Sequence, residues 1–120
     1  MSDVRGIGLD LCEISRTHEM LDRPAFIKRC LTEQEQEYLQ SRGKMASESL
    51  AAMWAAKEAC LKAFGTGIVV PLTDVEILHD NGRPCYCLHG KAAEMLGDGK
   101  LFLSITHEAG IAAAVCIWTE

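Results

Sequence analysis

The sequence predicts an α+β fold in which one long helix packs on a largely antiparallel sheet. Three observations predict it. Helix signals crowd the first half of the chain and strand signals the second, unlike the strict alternation of a parallel α/β sheet. Asn81-Gly82 separates two strand-like runs, DVEILH and PCYCLHG, and this dipeptide is a strong hairpin signal. Between Ser47 and Phe64, apolar residues recur at helical spacing for about five turns.

Each element has its own warrant. Val4 to Ile14 reads as a first strand, with Ile7, Leu9 and Leu11 on one face and Asp10 on the other. Ser15 can cap a short helix towards Leu21, which Pro24 interrupts. Thr32 with Glu35 makes a capping box for a helix towards Leu39. Ser47 can cap the long helix, and Gly65 supplies its stop after Phe64. After Pro71 comes the hairpin, then a short helix over Lys91 to Leu96. KLFLSIT and GIAAAVCIW are the closing strands. No repeat or linker divides the chain, so the expectation is one domain over residues 1–120.

Composition narrows the function classes. With 48% apolar and 24% charged residues, the chain can bury a core without staples. No apolar run suggests a membrane span, and MSDVRGIGLD has no signal-peptide core, so no membrane is expected and the expected compartment is the cytoplasm. The six cysteines show no C-x-x-C pair and read as small buried hydrophobes, Cys85 and Cys87 sharing one strand face. Twelve basic against 17 acidic residues give a net charge of −5, which argues against nucleic acid as a partner. From Arg16 to Arg29 the balance is reversed: Arg16, Arg23, Lys28 and Arg29 stand against Glu19 and Asp22. Such a patch is either a docking surface for an acidic partner or a solvated face.

The long helix carries the chemistry. On a helical wheel Leu50, Met53, Trp54, Cys60, Leu61 and Phe64 share a face, with Lys57 in the middle of that stripe. Glu58 and Lys62 lie one turn apart on its edge, aimed at a common spot, or simply paired with each other. Gly65-Thr66-Gly67 follows the helix C-terminus, the wrong end for dipole-assisted phosphate binding. Gly6 and Gly8 in GIGLDLCEISR lack the third glycine of a dinucleotide fingerprint. Asp10 within that apolar strand must be exposed, paired or metal-bound. Asp10 and Glu58 would then be two carboxylates on two rigid elements, a donor set that suits magnesium together with substrate phosphates.

These residues resemble a family. GIGLDLCEISR (Gly6–Arg16), F-x-x-R-x-L-T-x-x-E (Phe26–Glu35), WAAKEACLKAFGTGI (Trp54–Ile68), NGRP (Asn81–Pro84) and SITHEAGIAAAV (Ser104–Val115) are similar to the holo-acyl-carrier-protein synthases. These are the small bacterial phosphopantetheinyl transferases. The resemblance implies the phosphopantetheinyl transferase fold. It implies magnesium-dependent transfer of 4′-phosphopantetheine from coenzyme A to a serine of acyl carrier protein, in support of fatty acid biosynthesis, with adenosine 3′,5′-bisphosphate released.

It also implies roles and an assembly. Asp10 and Glu58 match metal ligands, and Lys62 matches the lysine beside the pyrophosphate. Gly65, Thr66, Ser104 and His107 match regions lining the coenzyme A site. The family forms homotrimers with sites at subunit boundaries. Glu58 is the best-placed base for the serine proton. His18, His79 and His89 are read as structural or surface residues. Arg16, Met20 and Arg23, spaced along one expected helix, and Lys28 would dock the acidic carrier. Met53 stands where members of the family often have an arginine, which would shift phosphate contacts to Arg42, Lys44 or Lys57. Two other readings use the same residues: a relative that binds coenzyme A without efficient transfer, and a trimeric nucleotide-binding regulatory domain.

Overall fold

The computed structural model describes residues 3–65 and 69–120. The order is β1 (Val4–Glu13), α1 (Ile14–Met20), α2 (Pro24–Cys30), α3 (Glu33–Arg42), α4 (Ala46–Phe64), β2 (Val75–Asp80), β3 (Arg83–Leu88), α5 (Gly90–Leu96), β4 (Lys100–Glu108) and β5 (Ile111–Thr119). Short 3-10 turns at Gly43–Met45 and Leu72–Asp74 precede α4 and β2. β1, β5 and β4 form one antiparallel sheet in that order, and β2 pairs with β3 as a separate hairpin. The expected α+β class is what the chain adopts.

Small residues let α4 lie against the sheet. Ala112, Ala114 and Cys116 of β5 are fully covered, and they face an α4 rich in buried alanine: Ala55, Ala56, Ala59 and Ala63. Gly6 and Gly8 of β1 meet the same helix. A Cβ at Gly8 would lie 1.7 Å from the Ala59 carbonyl oxygen, and one at Gly6 would lie 1.9 Å from that of Ala63. The two glycines are therefore a packing device, a role that the sequence reading did not assign to them. Leu50, Met53, Cys60 and Phe64 fill the core with Val75 and Ile77 of β2 and with Leu31 and Leu39.

Lys57 does not snorkel to solvent. It is fully buried, and its ammonium donates to Glu35 Oε1 at 2.9 Å, to the Leu72 carbonyl at 2.7 Å and to that of Val75 at 2.8 Å. All three of its N–H bonds are satisfied. Glu35 also accepts from the backbone N–H groups of Thr32 and Ile77. The pair thus joins α4, the start of α3 and β2. Burial pushes the Lys57 ammonium below its ordinary value, and the Glu35 carboxylate opposes that shift.

Several boundaries differ from the sequence reading. The capping box at Thr32 and Glu35 is present. Ser15 and Ser47 are not caps: the N-cap positions are Glu13 and Met45. Pro24 opens a helix rather than only ending one, because its missing N–H falls where the first turn has no acceptor. Gly65, at φ 117°, ends α4 as expected. Among the described residues, no helix is long and apolar enough to cross a membrane.

Candidate active site

Gly8 places β1 against α4 at Ala59, and Asp10 lies two residues further on the same strand face. Lys62, projecting from the last turn of α4, donates to Asp10 Oδ1 at 2.8 Å and to the Leu9 carbonyl at 3.2 Å. Its partner is therefore Asp10, and a simple helical pair with Glu58 is set aside. Those two bonds leave one Lys62 N–H for another acceptor. The lysine side chain is 56% exposed and the aspartate 16%. The Asp10 hydrogen bond, its charge and that of Glu58 hold the Lys62 ammonium above the ordinary lysine value.

Glu58 is half-buried on the same region of α4. Burial raises its carboxyl above the ordinary value, the Asp10 charge raises it further, and Lys62 offsets part of both. Two hard carboxylates near enough to repel each other, on a strand and a helix locked by backbone contact, fit a divalent cation of the magnesium kind. The sequence reading of Asp10, Glu58 and Lys62 as one group agrees with where the fold places them.

A cavity of about 670 Å³ lies elsewhere on the chain. Tyr38, Arg42, His79, Arg83, Ser104 and His107 are among its walls. The Tyr38 and His79 rings stack at 3.8 Å and 8°. Arg42 donates through Nε to Ser49 Oγ at 3.0 Å. Burial lowers His79 below the ordinary imidazole value, and the Arg42 charge lowers it further. Glu48, also in the wall, has a buried Oε2 without a hydrogen-bond partner. Two guanidinium groups and two flat rings suit an anionic aromatic ligand such as a nucleotide.

Asp10, Glu58 and Lys62 are not in that wall. The carboxylates lie by β1, one edge of the sheet, and the cavity runs along β4, the other edge. Ser104 and His107 do reach the cavity; Gly65 caps α4 outside it, and Thr66 lies outside the described residues. Of the three candidate phosphate ligands, Arg42 borders the cavity, Lys44 is exposed outside its wall, and Lys57 is sealed in the core. Met53 is itself 1% exposed among core residues. Arg83 and His79, neither singled out as a site residue from the sequence, also line the cavity. NGRP held the signal for the first; nothing local marks the second, which depends on a stack across two elements.

The basic segment also differs from its expected geometry. α1 ends at Met20, and Arg23 is the N-cap of α2, so Arg16, Met20 and Arg23 do not share one helix face. Arg23 and Arg29 instead approach the Phe26 ring at 5.2 and 5.9 Å, and Phe26 stacks on Trp54 at 5.7 Å. Lys28 borders a separate, mostly apolar groove of about 400 Å³ between α2 and α3.

The 4′-phosphopantetheinyl transferase superfamily matches residues 6–116. A holo-[acyl-carrier-protein] synthase of Myxococcus xanthus is 40% identical over 119 residues, covering 95% of this chain and 94% of the relative. One from Listeria monocytogenes is 43% identical over 95% of this chain and 97% of its own length. The crystal structure of a Bacillus anthracis holo-(acyl-carrier-protein) synthase in complex with CoA (3′,5′-ADP) superimposes with a TM-score of 0.83 at 33% identity, over 100% of this chain and 99% of that one. The chain therefore belongs to the 4′-phosphopantetheinyl transferase superfamily, as an enzyme of the holo-acyl-carrier-protein synthase kind.

Proposed function

We propose that this enzyme transfers 4′-phosphopantetheine from coenzyme A to a serine of apo-acyl carrier protein, in the cytoplasm and with magnesium as cofactor. The observation that carries the reading is the convergence of Asp10, Glu58 and Lys62 at the β1–α4 contact. The CoA complex of the Bacillus anthracis relative supports the choice of donor.

The chemistry follows from the residues. The serine Oγ attacks the β-phosphorus of coenzyme A, forming an O–P bond. The bond from that phosphorus to the bridging oxygen breaks, and adenosine 3′,5′-bisphosphate leaves with the electron pair. Glu58, its carboxyl raised towards neutrality, accepts the serine proton. Lys62, held by Asp10 and Leu9, directs its remaining N–H at the phosphate oxygens, where negative charge accumulates. A magnesium ion on the Asp10 and Glu58 carboxylates would supply charge neutralisation for the two phosphates. Arg42, Arg83 and the Tyr38–His79 stack hold the nucleotide end, and orientation supplies much of the remaining rate. Arg16, Met20, Arg23 and Lys28 remain the docking surface for the acidic carrier, now spread over two helices.

An oligomer with shared sites, most plainly a homotrimer, fits the surface. Val4, Ile7, Leu9 and Leu11 of β1 are about 60% exposed, and Phe102 of β4 lies on the same sheet with 56% exposure. A face this apolar marks an interface. A neighbour bringing its β4 edge to this β1 edge would unite cavity and carboxylates.

The test is incubation with coenzyme A, magnesium and apo-acyl carrier protein, read by intact mass of the carrier. A gain of one phosphopantetheine per carrier supports the proposal. An unmodified carrier, with coenzyme A still bound, would leave only a binding protein.

A further inference from the structure

Glu76, Cys87 and His89 meet away from the carboxylate site. Glu76 and Cys87 are directly opposed across the β2–β3 hairpin, on the face opposite Val75, Ile77 and Tyr86. His89 follows Cys87 by two residues and is still extended, at φ −130° and ψ 164°, so its side chain returns to that face. Among the described residues these three place a carboxylate oxygen, a thiol sulfur and an imidazole nitrogen within 4.8 Å of one another. We propose that this trio is a zinc-binding site, distinct from the magnesium-type carboxylate pair.

The donor set decides the metal. One sulfur, one nitrogen and one oxygen make a borderline-soft site, which suits zinc and rejects magnesium. Tetrahedral zinc would bring the donors to roughly 3.3–3.6 Å apart, given metal–ligand bonds of about 2.0–2.3 Å. His89 Nε2 and Glu76 Oε1 are already 2.8 Å apart, so that hydrogen bond would open by about half an ångström while the sulfur moves in. Water takes the fourth position.

The supporting shell is in place without metal. Glu76 is 5% exposed, and its Oε2 accepts a hydrogen bond from the Thr32 hydroxyl, which fixes the carboxylate plane. The His89 backbone N–H donates to the Asp74 carbonyl at 2.8 Å, which fixes the start of its side chain. The ring itself is 47% exposed and offers a way in. Burial raises the Cys87 thiol, so the site takes up metal with release of a proton to solvent. A bound ion would clamp β2 to β3 and to the N-terminus of α5, beside the Arg83–Tyr86 stretch that walls the large cavity.

The test uses chelator-stripped whole protein titrated with cobalt(II), a spectroscopic substitute for zinc, then with zinc(II). The expected result is one equivalent of cobalt giving a thiolate charge-transfer band in the near ultraviolet, displaced by zinc. Cys87→Ser should abolish the band, and His89→Gln should weaken binding about 10-fold or more. Cys85→Ser, on the same face but outside the trio, should leave it unchanged. Zinc should raise the melting temperature of the wild type and not that of Cys87→Ser. Absence of the band in the wild type, or a band that survives Cys87→Ser, would overturn the proposal. His89→Gln, at an exposed position, keeps the test valid if Cys87→Ser folds poorly.

Discussion

The Asp10 charge adds to the cost of ionising Glu58, and Lys62 is the cation that offsets part of it. The proposed roles predict that Asp10→Asn and Glu58→Gln each lower turnover roughly 100-fold or more, with circular dichroism unchanged. Lys62→Met should lower kcat more than it raises KM for coenzyme A, because its charge counts most as the phosphate leaves. Near-normal kcat in any of the three would remove that residue from the site. His79 makes a different prediction. Its imidazole is held below the ordinary value of 6.5, so below that pH the unfolded chain binds the proton first. Stability is thus fully present above 6.5 and declines as the pH falls through the folded value. Melting temperatures measured from pH 7 to 5 should fall less steeply in His79→Phe, which keeps the stack on Tyr38 but not the titration.

Among elements, the contact between β1 and α4 matters most. Gly8→Ala would drive a methyl into the Ala59 carbonyl, backbone against backbone, with no side chain to move aside. The expected cost is at least ~3 kcal/mol, read by chemical denaturation. A variant as stable as the wild type would mean that the strand can shift without loss. This contact also shows what the sequence made legible. Strand alternation and the helical wheel, both local rules, singled out Asp10, Glu58 and Lys62 one by one, and the family resemblance gave them a shared site although Asp10 and Lys62 lie 52 residues apart. The capping box at Thr32 and the turn at Asn81-Gly82 were legible from local signals too. Lys57 could not be resolved, because its partner Glu35 is 22 residues away and only the folded chain shows that the ammonium turns inward. The single helix expected through Arg16 and Arg23 is two for a related reason: Pro24 stands at N1 and starts the second helix.

At the scale of the whole molecule, the exposed row of Ile7, Leu9 and Leu11 is the largest departure from a self-sufficient globule. Strand periodicity put these three on one face but could not say that the face lacks a cover. The proposed oligomer predicts that Leu9→Glu shifts the wild-type assembly to monomer in sedimentation equilibrium at micromolar concentration, with activity lost in parallel. A wild type already monomeric and active under those conditions would refute shared sites.

The opposite placement of carboxylates and cavity on the two edges of one sheet has a genetic consequence. If each working site takes Asp10 from one subunit and Arg83 from its neighbour, two dead variants can rescue each other. Asp10→Asn chains retain the cavity, and Arg83→Ala chains retain the carboxylates. After unfolding and joint refolding in equal amounts, a ring of three places an intact half beside an intact half at about one boundary in four. The mixture should recover about a quarter of wild-type activity, whereas sites contained within single chains would recover none. A cell carrying both alleles would then grow where either alone fails.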